Sequence, residues 1–179
     1  MNKKEVRKAV KERVASLSEG EKKACGDVIA ERLFVSEEYR SATSLFVYLS
    51  TLGEVDTHAI LSHALSSGKT VFLPRIEGEQ MALVPYREGD PLLVNSYGIS
   101  EPTGEGVDVS PDLAILPLVA FDRSRARLGR GKGYYDRFLA SYKGTSIALA
   151  FSLQEWEALP TDPFDRRPDV ILTEKERIQ

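Results

Sequence analysis

SLFVYLSTLGEVDTHAILSHALSSGKTVFLP, Ser44 to Pro74, sets two short apolar runs on either side of a helical pattern. SLFVYL, Ser44–Leu49, is built of strand-forming types. GEVDTHAILSHALSSGK then reads as a loop leading into a helix, with Asp56 or Thr57 at its cap and Gly68 near its close. TVFLP, Thr70–Pro74, is the next strand. The same texture returns downstream in DLAILP (Asp112–Pro117), SIALAF (Ser146–Phe151) and DVILT (Asp169–Thr173), while MALVPY (Met81–Tyr86) is a further strand expected to end at or after Pro85. Helical patterns lie between and before these runs. Residues 3 to 17 put Val6, Val10, Val14 and Leu17 on one stripe and Lys3, Arg7 and Lys11 on another. Residues 19 to 34 carry Ala24, Val28, Ile29 and Leu33, and another helix is expected over Gly133–Tyr142. Apolar strands without alternation need cover on both faces. The expectation is therefore an α/β fold of three layers, with a mostly parallel central sheet flanked by helices, Rossmann-like but without a dinucleotide fingerprint.

Residues 87 to 111, rich in Gly, Pro and small polar side chains and containing GISEP (Gly98–Pro102), read as a long connection, and connections of that length usually have a reason. With no repeat, low-complexity tract or linker, 179 residues are expected to form one domain, 1–179. The formal net charge of -3 gives no ground for wholesale nucleic-acid binding, but the charge is unevenly placed. Residues 122 to 137 hold six basic side chains against Asp122 and Asp136, and residues 1 to 13 hold six against Glu5 and Glu12. Cys25 is the single cysteine, which excludes an internal disulfide and disfavours a cysteine-built metal site. The N-terminal segment has no apolar h-region and no run approaches a membrane span, so a cytoplasmic protein without a membrane partner is expected.

The densest chemistry lies in LGRGKGYYDRFL, Leu128–Leu139, where Gly129, Gly131 and Gly133 alternate with Arg130 and Lys132. A P-loop needs a glycine five positions before the GK pair and Ser or Thr after the lysine; here Ala126 and Gly133 stand there. The GxGxG spacing, followed by Tyr134, also fails the Rossmann pattern. What survives is physical: glycines admit close backbone approach, a turn entering a helix presents free N–H groups to an anion, and Arg127, Arg130 and Lys132 add positive charge. The bland alternative is an exposed basic turn at a glycine-rich helix entry. Asp136 has two readings as well, a carboxylate favourable to the helix dipole or one that shares Mg²⁺ with bound phosphate. Asp169 is either its metal partner or a solvated strand-end charge. Tyr134, Phe138 and Tyr142 repeat every four residues, as a packed helix face does. Glu54 follows the first strand, where ligands of parallel sheets collect, although a loop glutamate is also ordinary. His58 and His63 lack zinc spacing and read as helix residues. Trp156, in SLQEWEAL, is assigned to a local helical segment and to packing or a pocket wall.

FDRSRARLGRGKGYYDRFL, Phe121–Leu139, resembles the signature of the 5-formyltetrahydrofolate cyclo-ligase family, also called methenyltetrahydrofolate synthetases. KKEVRK (Lys3–Lys8), GEVDTHAI, FLPRI (Phe72–Ile76), Met81, GISEP and DRRPDVILTE (Asp165–Glu174) extend the resemblance along nearly the whole chain. It implies ATP- and Mg²⁺-dependent conversion of 5-formyltetrahydrofolate, polyglutamylated forms included, to 5,10-methenyltetrahydrofolate by a monomer. The resemblance further implies that Lys3, Arg7, Arg127, Gly129, Arg130, Gly131, Lys132, Gly133 and Tyr134 bind ATP. Arg127, Lys132 and Tyr135 take catalytic roles, and Asp136 and Asp169 hold the metal. Glu54, Met81, Tyr86, Tyr135 and Trp156 face the folate. Three positions depart from the common pattern: Leu118 and Arg125 stand where glycine is frequent, and Phe164 where histidine often precedes the aspartate. The residues alone also admit a related ATP-using enzyme acting on another N-formyl or pterin-like compound, or a noncatalytic phosphate- or RNA-binding module.

Overall fold

A computed structural model describes all 179 residues. Two helices open the chain, α1 (Lys3–Ala15) and α2 (Glu19–Phe34), each begun by a reciprocal capping box, Asn2 with Glu5 and Ser18 with Glu21. A short α3 (Glu37–Ser41), which the sequence reading did not anticipate, leads into β1 (Ser44–Val47). Next come α4 (His58–Ser66), β2 (Thr70–Glu77) and β3 (Gln80–Tyr86). The long connection is not structureless: it folds into the antiparallel hairpin β4 (Leu92–Val94) and β5 (Ser100–Pro102). β6 (Leu113–Leu116) is followed by a second small hairpin, β7 (Ala120–Phe121) and β8 (Arg127–Leu128), then α5 (Tyr134–Ser141), β9 (Thr145–Leu149), β10 (Val170–Leu172) and β11 (Arg177–Ile178).

The main sheet has the order β11-β10-β9-β6-β1-β2-β3, parallel from β10 to β2, with antiparallel β11 and β3 at its edges. The expected mostly parallel sheet is present. Numbered among themselves, the five parallel strands run 2-1-3-4-5, one of the two common doubly wound orders and not the 3-2-1-4-5-6 of dinucleotide-binding folds. Alternation within the strands divides the core. Leu45, Val47, Val71, Ile115, Ile147 and Leu172 face Val6, Val10 and Val14 of α1, Ile29 and Leu33 of α2, and Ile60 of α4. Their neighbours Phe46, Phe72, Ala114, Ala148 and Ile171 face the other way, onto Phe138, Leu139 and Tyr142 of α5. Both faces are thus covered, which is why the strands could be apolar without interruption.

β2 runs past Pro74 to Glu77 because β1 pairs with it only as far as Phe72. Beyond that point one side of β2 is an edge, where the N–H that proline lacks has no ladder partner to lose. Pro85 is tolerated for the same reason in β3, an edge strand. At α4, Thr57 occupies the cap position without a side-chain cap bond, and Asp56 does the capping instead, its Oδ1 accepting from His58 N at 2.9 Å. SLQEWEAL is not a helix. Only a 3₁₀ turn, Ser152–Gln154, forms there, because the backbone N–H of Trp156 donates to Phe121 O and ties the segment to the β7 edge.

Candidate functional site

Between β1 and β6 the chain's crossovers diverge, β1 leading toward β2 on one side and β6 toward β9 on the other. A crevice at the C-terminal ends of strands follows from that reversal. It is occupied by a cavity of about 830 Å³, lined by Leu49, Thr51 and Glu54 after β1 and by Pro117, Leu118 and Val119 after β6. The glycine-basic loop, the first turn of α5, and Lys3 and Arg7 of α1 complete its walls.

Arg127 owes its place to the β7–β8 hairpin. The hairpin tip is organised by Asp122, whose Oδ1 accepts from Ser124 N (2.9 Å), Ser124 Oγ (2.6 Å) and Ala126 N (3.2 Å), and whose Oδ2 accepts from Leu159 N at 2.9 Å. Burial pushes this carboxyl's pKa up, but the hydrogen bonds from Ser124, Leu159 and Ala126 outweigh it and hold it below the ordinary value. β8 then delivers a guanidinium that is only 6% exposed. Its Nη1 donates to Pro117 O at 3.2 Å, it lies 5.4 Å from the Tyr135 ring centroid, and its buried Nε has no partner. Desolvation lowers its pKa, opposed by the more distant charges of Asp136, Asp165 and Glu54. Arg127 takes part in no ion pair, and a buried cation left this way is suited to an incoming anion.

The three alternate glycines make room for arginines. A Cβ on Gly129 would stand 3.1 Å from Arg127 Nη1, one on Gly131 3.3 Å from the Arg7 guanidinium carbon, and one on Gly133 2.7 Å from Arg137 Nη1. Gly131 and Gly133 also have φ of 105° and 75°. Arg7 Nε donates to Gly129 O at 2.8 Å, fastening the loop to α1. Gly133 caps α5 without a side chain, so the N–H groups of the first turn are left for a ligand. Lys132 Nζ stands 5.8 Å from the Tyr97 ring centroid, and Tyr134 Oη donates to Gly78 O at 3.0 Å. The β4–β5 connection and the β2–β3 turn thereby join the wall. Tyr135 is raised well above the ordinary phenol pKa by burial and then by the Glu54 charge, so it stands in the cavity as a neutral hydroxyl.

Glu54 is held locally: its Oε1 accepts from Thr51 N and Thr51 Oγ1, both at 2.9 Å, and its Oε2 lies 3.6 Å from Arg130 Nη2. Arg130 also contacts Thr51 Oγ1. Met81 lies in the cavity wall beside Ile76 and Glu101, the last accepting from Ile76 N at 2.6 Å. Asp136 is in the wall, its Oδ1 accepting from Arg166 N at 3.0 Å.

Four of the expected site residues stand apart from the others, one ion-paired within the cavity and three outside its lining. Lys3 lines the cavity, where its ammonium is engaged by Asp162 (2.8 Å) and Asp165 (2.7 Å), which line it too. Asp169 does not join Asp136: it stands before β10, at the opposite end of the parallel strands, where its Oδ2 accepts from Ser146 N at 2.8 Å. Tyr86 is absent from the lining because its place in β3 turns it onto the main core. Trp156 likewise packs against that core, beneath the Arg13 guanidinium 4.7 Å from its ring, outside the cavity. Of the three departures, Leu118 is buried in the cavity wall, Arg125 adopts a left-handed φ of 65°, and Phe164 is 80% exposed at the cavity's edge. Thr51, Asp162 and Asp165 were missed. Thr51 had a local signal, a hydroxyl three residues before Glu54, whereas Asp162 and Asp165 meet Lys3 across most of the chain length.

The doubly wound sheet defines an α/β protein with a cavity, partly lined by cationic side chains, at the strand switch point. The sequence model of the 5-formyltetrahydrofolate cyclo-ligase family matches residues 1–174. The chain is 30% identical to the mouse 5-formyltetrahydrofolate cyclo-ligase, covering 94% of this chain and 92% of that one. To the Escherichia coli enzyme of the same description it is 31% identical, covering 92% and 96%. The solved structure of 5,10-methenyltetrahydrofolate synthetase from Aquifex aeolicus superposes with a TM-score of 0.89 at 36% identity, covering 100% of this chain and 93% of that one. The Mycoplasma pneumoniae synthetase shares the fold, with a TM-score of 0.76 at 22% identity over 97% of this chain and 99% of that one. The chain belongs to the 5-formyltetrahydrofolate cyclo-ligase family.

Proposed function

We propose that the protein converts 5-formyltetrahydrofolate to 5,10-methenyltetrahydrofolate at the expense of ATP, releasing ADP and phosphate. The observation that carries this reading is the buried, ion-pair-free guanidinium of Arg127 on the wall of the switch-point cavity, set among a glycine-basic loop and an uncapped helix start. An amide-like formyl oxygen leaves poorly. Transfer of the γ-phosphoryl group to that oxygen makes it a leaving group, N10 of the folate attacks the activated carbon, and the C–O bond breaks as phosphate departs, with the N10 proton passing to the released phosphate. No nucleophilic side chain is needed; the protein positions the reactants, balances charge and excludes water.

Arg127 fits the transferring phosphoryl group, because its donors are desolvated before the ligand arrives and need no reorganisation. Arg7, Arg130 and Lys132 supply the remaining positive charge along the glycine loop. Tyr135, a cavity-lining phenol kept protonated by burial, is the donor to an oxygen at the reaction centre in this reading. Glu54, with one oxygen fixed by Thr51, recognises N–H groups of the pterin, and Met81 lies against its face. Mg²⁺ fits through one carboxylate. No three His, Cys, Asp or Glu side chains gather anywhere, but Mg²⁺ is commonly held by one carboxylate with substrate phosphates, and Asp136 lines the cavity beside the phosphate-binding turn. Bound there, the ion would supply neutralisation of the polyphosphate. The same reading takes the protein as a cytoplasmic monomer. The test is direct: folded protein with ATP, Mg²⁺ and 5-formyltetrahydrofolate yields the strongly absorbing methenyl product, and no product refutes the reading.

A further inference from the structure

Arg130 stands between the two halves of the site. Its side chain leaves the glycine-basic turn between Gly129 and Gly131 and crosses to the turn after β1. There Nη2 donates to Thr51 Oγ1 and lies 3.6 Å from Glu54 Oε2. Neighbouring cations are fastened elsewhere: Arg127 to Pro117 O, Arg7 to Gly129 O, and Lys3 to Asp162 and Asp165. Arg130 is the one cation paired with Glu54, and its side chain is 43% exposed, against 13% for the glutamate. The arginine has room to swing and the carboxylate does not. Thr51 N and Oγ1 fix Glu54 Oε1, both at 2.9 Å, so Oε2 is the oxygen left to meet a folate, and it is Oε2 that Arg130 covers. Tyr135, raised chiefly by burial, feels the Glu54 charge and, in the opposite sense, the charges of Arg127 and Arg130, which sets the pair beside the phenol.

We infer that Arg130 couples the two substrates: polyphosphate on the glycine turn draws the guanidinium off Glu54 and so opens the carboxylate to the pterin, a role that rests on the folate and ATP reading above. The direction follows from charge. A guanidinium fork offered several phosphate oxygens gains more than it loses by giving up one carboxylate oxygen at 3.6 Å, a contact longer than a hydrogen bond. Once released, Oε2 is a charged acceptor without a partner, and N–H donors of the pterin satisfy it. Thr51 keeps the carboxylate in place during the exchange. The coupling is positive and reciprocal, each ligand tightening the other by the same factor. Its size is that of a partly exposed ion pair, about fivefold. Without such a switch the sign reverses, because nucleotide and folate are both anions and repel within one cavity.

Titration calorimetry of 5-formyltetrahydrofolate, alone and beside Mg²⁺ with the β,γ-imido analogue of ATP, tests this without phosphoryl transfer. The wild type is expected to hold the folate about fivefold more tightly with the analogue. Inorganic tripolyphosphate should do the same and adenosine should do nothing, since the phosphates are what move Arg130. Arg130→Met keeps the stem and removes the fork, and thermal melts check that the variant is folded. It is expected to bind the folate alone about as tightly as the wild type does with the analogue, to show no further tightening, and to bind the analogue more weakly. Equal folate affinity with and without the analogue in the wild type overturns the inference, as does tightening that survives Arg130→Met. Weaker binding of the folate alone by Arg130→Met overturns it too, because Arg130 would then hold Glu54 in its working position and not cover it. Coupling through Arg130 with no methenyl product from ATP itself counts against the proposed reaction alone, and full turnover without coupling counts against the role of Arg130 alone.

Discussion

Replacing Arg127 by Met separates what the guanidinium does for the reaction from what it does for the fold. In the ligand-free protein its charge is desolvated, a penalty of several kcal/mol per ion in real interiors, and an unpartnered Nε adds about 1–3 kcal/mol. Against these stand one charge-assisted hydrogen bond, to Pro117 O, of about 1.5–3 kcal/mol, and the stack on Tyr135, about 0.5–2 kcal/mol. Met keeps most of the aliphatic packing. The two sides nearly cancel with a small balance against the arginine, so Arg127→Met is expected to leave the ligand-free fold unchanged or up to about 1 kcal/mol more stable, a rise in Tm of about 2–4 °C for a chain of this size. Activity moves the other way. Loss of one preorganised donor to developing charge lowers kcat by about 10²–10³. Arg127→Lys retains the charge without the fork and should fall between. Thermal melts without nucleotide, paired with absorbance of the methenyl product, make the comparison. If Arg127→Met lost more than about 2 kcal/mol of stability while keeping activity within about threefold, the guanidinium would be a structural group and the reasoning would fail.

Asp136→Ala should cut activity by roughly tenfold or more and raise the Mg²⁺ concentration needed for half-maximal rate, whereas Asp169→Ala should leave the Mg²⁺ requirement alone and destabilise the fold by about 1–3 kcal/mol through Ser146 N; Mg²⁺ titrations and urea melts of both variants read this out. At position 125 the backbone is left-handed, so Arg125→Gly should be more stable than Arg125→Ala by about 1 kcal/mol, since both lose the bond to Asp169 O and only alanine keeps the strain; equal urea midpoints would contradict this. Asp122, with a folded pKa below its unfolded value, contributes stability that is fully present above the unfolded carboxylate pKa near 4 and is lost as pH falls through the lower folded value. Asp122→Asn should therefore be less stable than the wild type at pH 7, with the gap closing toward pH 2 in denaturant titrations.

The fold's class was legible because a strand buried on both faces must be apolar throughout, and Leu45–Val47, Leu113–Leu116 and Ile147–Leu149 announce this residue by residue. The glycine-basic run Gly129–Gly133 was legible as a tight turn entering a helix, and the structure puts that turn in the cavity wall with α5 starting just after Gly133. Strand order was not. Which way the chain crosses after β1 and after β6 is settled by packing between distant segments, and that reversal places the cavity. Arg127 looked like any member of a basic run until the β7–β8 hairpin and Asp122 buried it without an ion-pair partner. Asp169 looked like a partner for Asp136 because both are acidic residues of one signature; the sheet separates them, since a residue entering a parallel strand and a residue beyond the strands' C-terminal ends lie on opposite edges. Lys3 shows the same limit, its partners being Asp162 and Asp165 at the far end of the chain. The sequence by itself determined the local periods, the caps and the chemical types present. Tertiary structure decided which charges are paired, which are buried alone and which face the cavity, because Coulombic and desolvation energies depend on distances in space that residue spacing does not encode.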